Sequence, residues 1–264
     1  MTPVEVIRGD SPVVLGLPHT GTHVPPAIMD DLNPRGQTLA DTDWHIHRLY
    51  DGLLPGATTV RATFHRYVID ANRAPDGASL YPGQNTTGLV PLTDFDGHDI
   101  WHTPPDQDAI AARLAAYHAP YHAALHAELA RVHAIHGVAL LYDCHSIRSH
   151  IPYLFDGVLP DFNIGTDGGT TCDTRLERAV VDICAGAAPY THVLNGRFKG
   201  GWTTRHYGRP DHGFHAIQME LAQSTHLAQE HLPFDLSHDK AAKLRPVLAE
   251  ILRTLAATVQ ELRP

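Results

Sequence analysis

The sequence predicts an α/β fold with a mostly parallel or mixed central sheet. Two observations predict it. Short apolar, β-rich runs alternate with segments of helical periodicity, the order expected of a sheet covered by helices. Several of these runs end in polar clusters, as strands do where their C-terminal ends carry a ligand. The chain has 264 residues, and no repeat or linker divides it, so a single domain spanning 1–264 is expected.

Residues 12–17 (PVVLGL) read as a buried strand leading into Pro18-His19-Thr20-Gly21. Residues 38–54 have helical spacing, with Leu39, Ile46, Leu49 and Leu53 near one face. Residues 58–63 and 67–70 are the next strand candidates. The span 74–105 is rich in Gly, Pro, Asp and Thr and lacks periodicity, which marks a long functional loop. With Tyr81, Asn85 and Trp101 in it, a lid is the expectation. Residues 107–136 form the clearest helix, apolar at Ile110, Leu114, Tyr121, Leu125, Leu129 and Val132, with Pro120 expected to kink or divide it. His118, His122 and His126 lie four apart on it; a metal-binding stripe is conceivable, and a solvated or flanking face is the plainer reading. Gly137 should end the helix. Residues 138–142 (VALLY) then form a strand running into Asp143-Cys144-His145-Ser146. Further strands are expected over 161–165, 191–194 and 215–221, and helices over 174–187 and 236–262.

Composition excludes several functions. The chain is 43% hydrophobic and 19% charged with a net charge of −9, and it lacks the basic face that nucleic acid requires. No stretch approaches a membrane span, and the N-terminus lacks the pattern of a signal peptide. The three scattered cysteines, Cys144, Cys172 and Cys184, suggest neither a disulfide framework nor a zinc ribbon. A cytoplasmic protein is expected. The 21 histidines are dispersed, which counts against a metal-storage protein built on a histidine tract.

Catalytic zinc takes three protein ligands, usually His with Asp or Glu, and leaves a position open. His19 and His145 follow apolar strands, and Asp143 stands where it could orient a histidine. The nearest source of a third ligand is Asp41-Thr42-Asp43, which suits helix capping equally well. Glu220 interrupts the apolar run Ala216–Leu221, a costly place for a carboxylate. It is either a general base or the partner of a buried arginine. Arg66 and Arg73 flank a strand end, and Arg205 follows Gly200-Gly201; their planar forks match carboxylates, although surface ion pairs would use them too. Cys144 and His145 are adjacent on a strand and face opposite ways, so a Cys-His dyad from this pair is not expected.

In order, Pro18-His19-Thr20-Gly21, Asp41-Thr42-Asp43, Asp70-Ala71-Asn72-Arg73, Asp143-Cys144-His145-Ser146, Gly200-Gly201 with Thr204-Arg205, and Gln218-Met219-Glu220 resemble the N-formylglutamate amidohydrolase family over roughly residues 12–230. The resemblance implies a three-layer α/β/α sandwich similar to zinc carboxypeptidases and aspartoacylases. It implies hydrolysis of N-formyl-L-glutamate to formate and L-glutamate in histidine degradation. It also implies Zn2+ on His19, Asp43 and His145, Glu220 as the catalytic glutamate, and a small anionic N-acyl amino acid gripped by Asn72, Arg73 and Arg205. The wider superfamily's H-x-x-E pattern is not matched, since Thr22 stands three after His19. A related zinc deacylase or a carboxypeptidase-like hydrolase, with a pocket for a larger acyl or peptide group, is the alternative within the same chemistry.

Overall fold

A computed structural model describes residues 2–79 and 83–262. The strands are β1 (Val4–Ile7), β2 (Val13–Leu17), β3 (Thr58–Ala62), β4 (Ala139–Ile147), β5 (Phe162–Gly165), β6 (His192–Leu194) and β7 (Phe214–Ala222). The helices are α1 (Pro26–Asp31), α2 (Ile46–Tyr50), α3 (Gln107–Arg113), α4 (Ala119–His136), α5 (Thr174–Gly186), α6 (Trp202–Tyr207) and α7 (His238–Gln260). One seven-stranded sheet has the order β1-β3-β2-β4-β7-β5-β6. Its centre, β3-β2-β4-β7, is parallel; β1 and β5 pair antiparallel with β3 and β7.

β2, β4 and β7 are almost wholly buried because helices cover both faces, which explains their near-continuous apolar runs. Leu15, Leu17, Tyr142, Cys144, Ile217 and Met219 face one way and pack with Leu244, Leu248, Ile251 and Leu255 of α7 and with residues of α2 and α5. Val14, Leu141 and Ala216 face the other way, under Tyr121, Leu125 and Leu129 of α4. Two cores on opposite faces of one sheet give the α/β/α layering. Burial of each large aliphatic side chain contributes roughly 1.5–3 kcal/mol. No helix among the described residues is long and apolar enough to cross a membrane.

Four expectations change. Within residues 38–54, helix forms only at α2, because Leu39 and His45 adopt left-handed φ of 52° and 61° and break it. Residues 67–70 form no strand: Val68 N–H donates to His65 O in a turn and Asp70 N–H to Leu89 O, so no ladder forms. β4 runs on through Asp143-Cys144-His145-Ser146, so His145 lies within the strand rather than past it. Residues 202–207, for which no element is expected, form α6. The break before Pro120 takes the form of a π-helical segment, Leu114–His118, where Ala119 N–H donates to Leu114 O five residues back. Span 74–105 holds no named strand or helix among its described residues; Tyr81 lies outside them.

In the histidine stripe 118/122/126, His118 and His122 turn inward onto main-chain carbonyls and only His126 keeps a solvated position. His118 Nε2 donates to Arg73 O (2.9 Å) and His122 Nε2 to Ala71 O (2.8 Å), while His122 Nδ1 accepts from Tyr207 Oη (3.0 Å). His126 alone of the three is exposed. Both buried rings must carry their proton on Nε2, because a carbonyl only accepts. On the other face of the sheet, His226 Nε2 donates to Trp44 O (3.1 Å). Burial lowers the pKa of His122 to about 3 and of His226 to about 4. These folded values lie below the unfolded value of about 6.5, so below that pH the unfolded chain binds more protons. Their contribution to stability is therefore complete above pH 6.5 and falls as the pH drops toward 4, by up to about 1.4 kcal/mol per group per pH unit. Thermal melts between pH 7.5 and 4.5 should show Tm falling from near pH 6.5, with a shallower slope in His122→Gln. An identical slope in that variant would contradict the assignment.

Candidate metal centre and active site

The C-terminal ends of β2, β4 and β7, with the turns after β2 and β3, converge on one centre, the expected place for a ligand in a parallel sheet. His19 lies two residues beyond β2, and its ring is 5.0 Å from that of His145. Asp43 comes from the broken stretch before α2, where its N–H donates to His19 O (3.1 Å). Asp43 Oδ2 lies 3.1 Å from His145 Nδ1 and 3.8 Å from His19 Nδ1, and it accepts from Ser146 N (3.2 Å). Asp43 Oδ1 accepts from Arg66 Nη2 at 2.7 Å. Each histidine has a second carboxylate behind it: His19 Nε2 is 2.7 Å from Asp70 Oδ1, and His145 Nε2 is 3.2 Å from Asp143 Oδ2. Asp143 and His145 are two apart on a strand and therefore share a face.

Four carboxylates, Asp43, Asp70, Asp143 and Glu220, are thus buried around two imidazoles and Arg66. Burial favours the neutral form of Asp43 and Asp70, yet the nearby cations outweigh it: Arg66 and His145 beside Asp43, Arg73 and His19 beside Asp70. Both acids are held below the ordinary carboxylate range, Asp70 well below. Burial disfavours charge on His145, but Asp143 and Asp43 overcome this and raise its pKa well above the usual value. Glu220 differs: burial dominates and pushes it up to about 8.

His19, Asp43 and His145 each offer a ligand atom, and these atoms lie within 4.8 Å of one another. His19 Nδ1 is buried with no hydrogen-bond partner among the described residues, a cost that a bound cation would remove. Two imidazoles and a carboxylate, each backed by a further carboxylate or an arginine, match in type the donors that hold catalytic divalent ions. The residues present fit a metal ion.

Above the centre is a cavity of about 210 Å³. Glu220, Gln218 and Asn72 line it beside His19 and His145, and Phe95, Leu154 and Phe198 supply apolar wall. Gln218 Nε2 donates to Glu220 Oε2 (3.1 Å), as their i, i+2 spacing on β7 allows. The sequence matches the family of N-formylglutamate amidohydrolases over residues 11–227. It is 47% identical over 257 residues to the N-formylglutamate deformylase of Pseudomonas aeruginosa, covering 96% of each chain. It is 46% identical over 253 residues to that of Pseudomonas putida, covering 95% of this chain and 94% of the relative. The chain belongs to the N-formylglutamate amidohydrolase family. Its fold is similar to the crystal structure of N-formylglutamate amidohydrolase from Ralstonia eutropha JMP134, with a TM-score of 0.84 at 23% identity over 99% of both chains. It is also similar to that of gene product Atu2144 from Agrobacterium tumefaciens, with a TM-score of 0.75 at 21% identity, covering 98% of this chain and 96% of that one.

In this member of the N-formylglutamate amidohydrolase family, the structure brings together His19, Asp43, Arg66, Asn72, Arg73, His145 and Glu220. Arg66 is 5% exposed and engaged by Asp43, which makes it a support of that carboxylate as well as a lining residue. Arg205 does not reach the cavity: Nε donates to Gly200 O (2.9 Å) and Nη1 lies 3.0 Å from Asp167. Arg197, which sequence reasoning passed over, lines the cavity instead. No pattern in Asn195-Gly196-Arg197-Phe198 distinguishes it from a surface arginine.

The Gly200-Gly201 turn does allow a close approach. Asn72 Nδ2 is 3.2 Å from His145 Nε2, and Asn72 Oδ1 accepts from Thr203 N (2.9 Å). A Cβ at Gly201 would sit 2.3 Å from Asn72 Nδ2. Thr204 Oγ1 donates to Asp143 Oδ2 (3.1 Å), and Gly201 N–H to Gln218 Oε1 (2.7 Å), so α6 holds the outer partners of the centre. Gly201→Ala should displace Asn72 and lower kcat/KM for the family's reaction by about tenfold or more, with a shift in Tm of only a few degrees. Unchanged kinetics would show that Asn72 needs no such support.

Proposed function

We propose that this chain hydrolyses N-formyl-L-glutamate to formate and L-glutamate, with a divalent ion, zinc by the character of the donors, on His19, Asp43 and His145. The observation that carries the reading is this His/Asp/His cluster facing a cavity with Glu220 beside it, in a chain 47% identical to a deformylase of that name. When bound, such an ion polarises a carbonyl and lowers the pKa of a coordinated water.

The protein's own groups do the rest. Glu220, buried and raised toward neutrality, takes a proton from the attacking water. As the water oxygen bonds to the formyl carbon and the carbon–nitrogen bond breaks, Glu220 delivers that proton to the departing amine. Gln218 orients the Glu220 carboxylate. Arg73 is fixed by bonds to Thr87 O (2.9 Å), Thr87 Oγ1 (2.9 Å) and Asn72 O (3.0 Å), and it takes the substrate's α-carboxylate. Phe95, Leu154 and Phe198 exclude bulk water and strengthen these contacts.

Purified protein should release formate from N-formyl-L-glutamate, lose that activity to a chelator and regain it with zinc. Glu220→Gln should lower kcat by about 10²–10⁴-fold while metal content stays near one per chain. Turnover unaffected by complete metal removal would sink the metal reading, and wild-type kcat in Glu220→Gln would sink the proton-transfer role. Arg205→Ala should leave KM within about twofold, since Arg205 stands outside the cavity.

A further inference from the structure

We infer that Arg197 selects an acidic side chain on the substrate, while Arg73 takes the α-carboxylate that every N-acyl amino acid carries; this rests on the hydrolysis proposed above. Arg66, Arg73 and Arg197 line the cavity, and Glu220 is the sole acid among its described lining residues, in a chain of net charge −9. Such a concentration of cations suits a substrate with more than one negative charge.

The three arginines are not equivalent. Arg66 is committed to Asp43 at 2.7 Å and lies 3.9 Å from Asp70. Arg73 Nη1 is 3.6 Å from Asp70 Oδ2, and Asp70 in turn meets His19, so Arg73 stands next to the reacting centre. Arg197 enters from the connection between β6 and α6. Its Nε donates to Leu154 O (3.0 Å), its Nη2 to Asn85 O (2.9 Å), and its guanidinium lies 5.4 Å from the Phe198 ring centroid. Leu154, Asn85 and Phe198 line the cavity and are half-buried or exposed, unlike the buried His19 and His145, so they mark its outer wall. These two carbonyls hold the guanidinium plane at the cavity wall.

The α-carboxylate lies one carbon from the scissile nitrogen, which matches the inner position of Arg73. The side-chain carboxylate of glutamate reaches up to about 5 Å farther, across four carbon–carbon bonds of about 1.5 Å each. It therefore extends toward the outer wall, where Arg197 is held.

The test compares kcat/KM for N-formyl-L-glutamate and its neutral isostere N-formyl-L-glutamine in wild type, Arg197→Gln, Arg197→Lys and Arg73→Gln, with a thermal melt of each. Wild type should prefer the glutamate substrate by about 10²-fold or more. Arg197→Gln should lower its kcat/KM by a similar factor, chiefly through KM, and change the glutamine substrate by no more than about threefold. Arg73→Gln should lower both substrates alike. If Arg197→Gln does not fold, Arg197→Lys carries the test, because loss of the planar fork should narrow the preference. Equal loss on both substrates in the Arg197 variants would overturn the inference and leave a wall-building role. Equal wild-type activity on both substrates would overturn it too. Wild type inactive on both, with metal bound, would instead sink the proposed hydrolysis itself.

Discussion

The contact between Asp43 and His145 is the constraint on which the rest of the structure turns. Their juxtaposition brings together β4 and the stretch before α2, and it does so in a buried place that also holds Asp70, Asp143 and Glu220. Burying that many acids is unfavourable unless cations and donors meet them. Arg66 answers Asp43 from one side and the two histidines from the other, while Ser146 N–H caps the same oxygen. Among the described residues His19 Nδ1 has no hydrogen-bond partner, so the cluster is balanced in charge more fully than in hydrogen bonds. The donors at this site fit a small multivalent cation.

Much of the surrounding architecture keeps these few atoms in place. The chain breaks helix at Leu39 and His45, accepting left-handed backbone at non-glycine residues, so that Asp43 can turn inward. The carbonyls on either side of Asp43 are held from the turn after β7: Gln223 Nε2 donates to Thr42 O (2.9 Å) and His226 to Trp44 O. The stretch that carries Asp70, Asn72 and Arg73 is held in the same manner by His118 and His122, at the point where α3 passes through a π-helical turn into α4. Asymmetric local structure therefore coincides with the site, as expected where geometry is fixed at some expense of local preference.

How legible this was in the sequence depends on the range of the interactions. Buried parallel strands are long apolar runs, so β2, β4 and β7 could be read directly, and with them His19, His145 and Glu220 at or near their ends. The i, i+2 relation of Asp143 to His145 follows from strand geometry alone. Residues 38–54 misled because the apolar face of α2 extends in pattern beyond the point where tertiary contacts to the site override it. The arginines were the hardest to place. Arg205 and Arg197 are both arginines near glycines in polar stretches, and only the path of the chain between β6 and α6 puts one in the cavity wall and the other against Asp167.

Several further histidines fasten the chain in the same way. His45, His133 and His136, like His118, His122 and His226, place Nε2 within hydrogen-bond distance of a main-chain carbonyl: Phe234 O, His212 O and Asp10 O in turn. Each ties a turn or loop to an element some distance away in sequence. An imidazole suits this task because it donates one directed hydrogen bond while its ring packs against apolar neighbours, and it needs no counter-charge when neutral. A storage protein would instead gather its histidines into several ligand clusters. The second group of possible ligands among the described residues, Asp94, Asp96 and His98, is already engaged: Arg35 binds both acids and Arg148 binds Asp96. Eight of the 21 histidines therefore fall into two groups: a pair whose Nδ1 atoms face a shared carboxylate, and six that fasten loops, of which His118, His122 and His226 hold the stretches that carry the site.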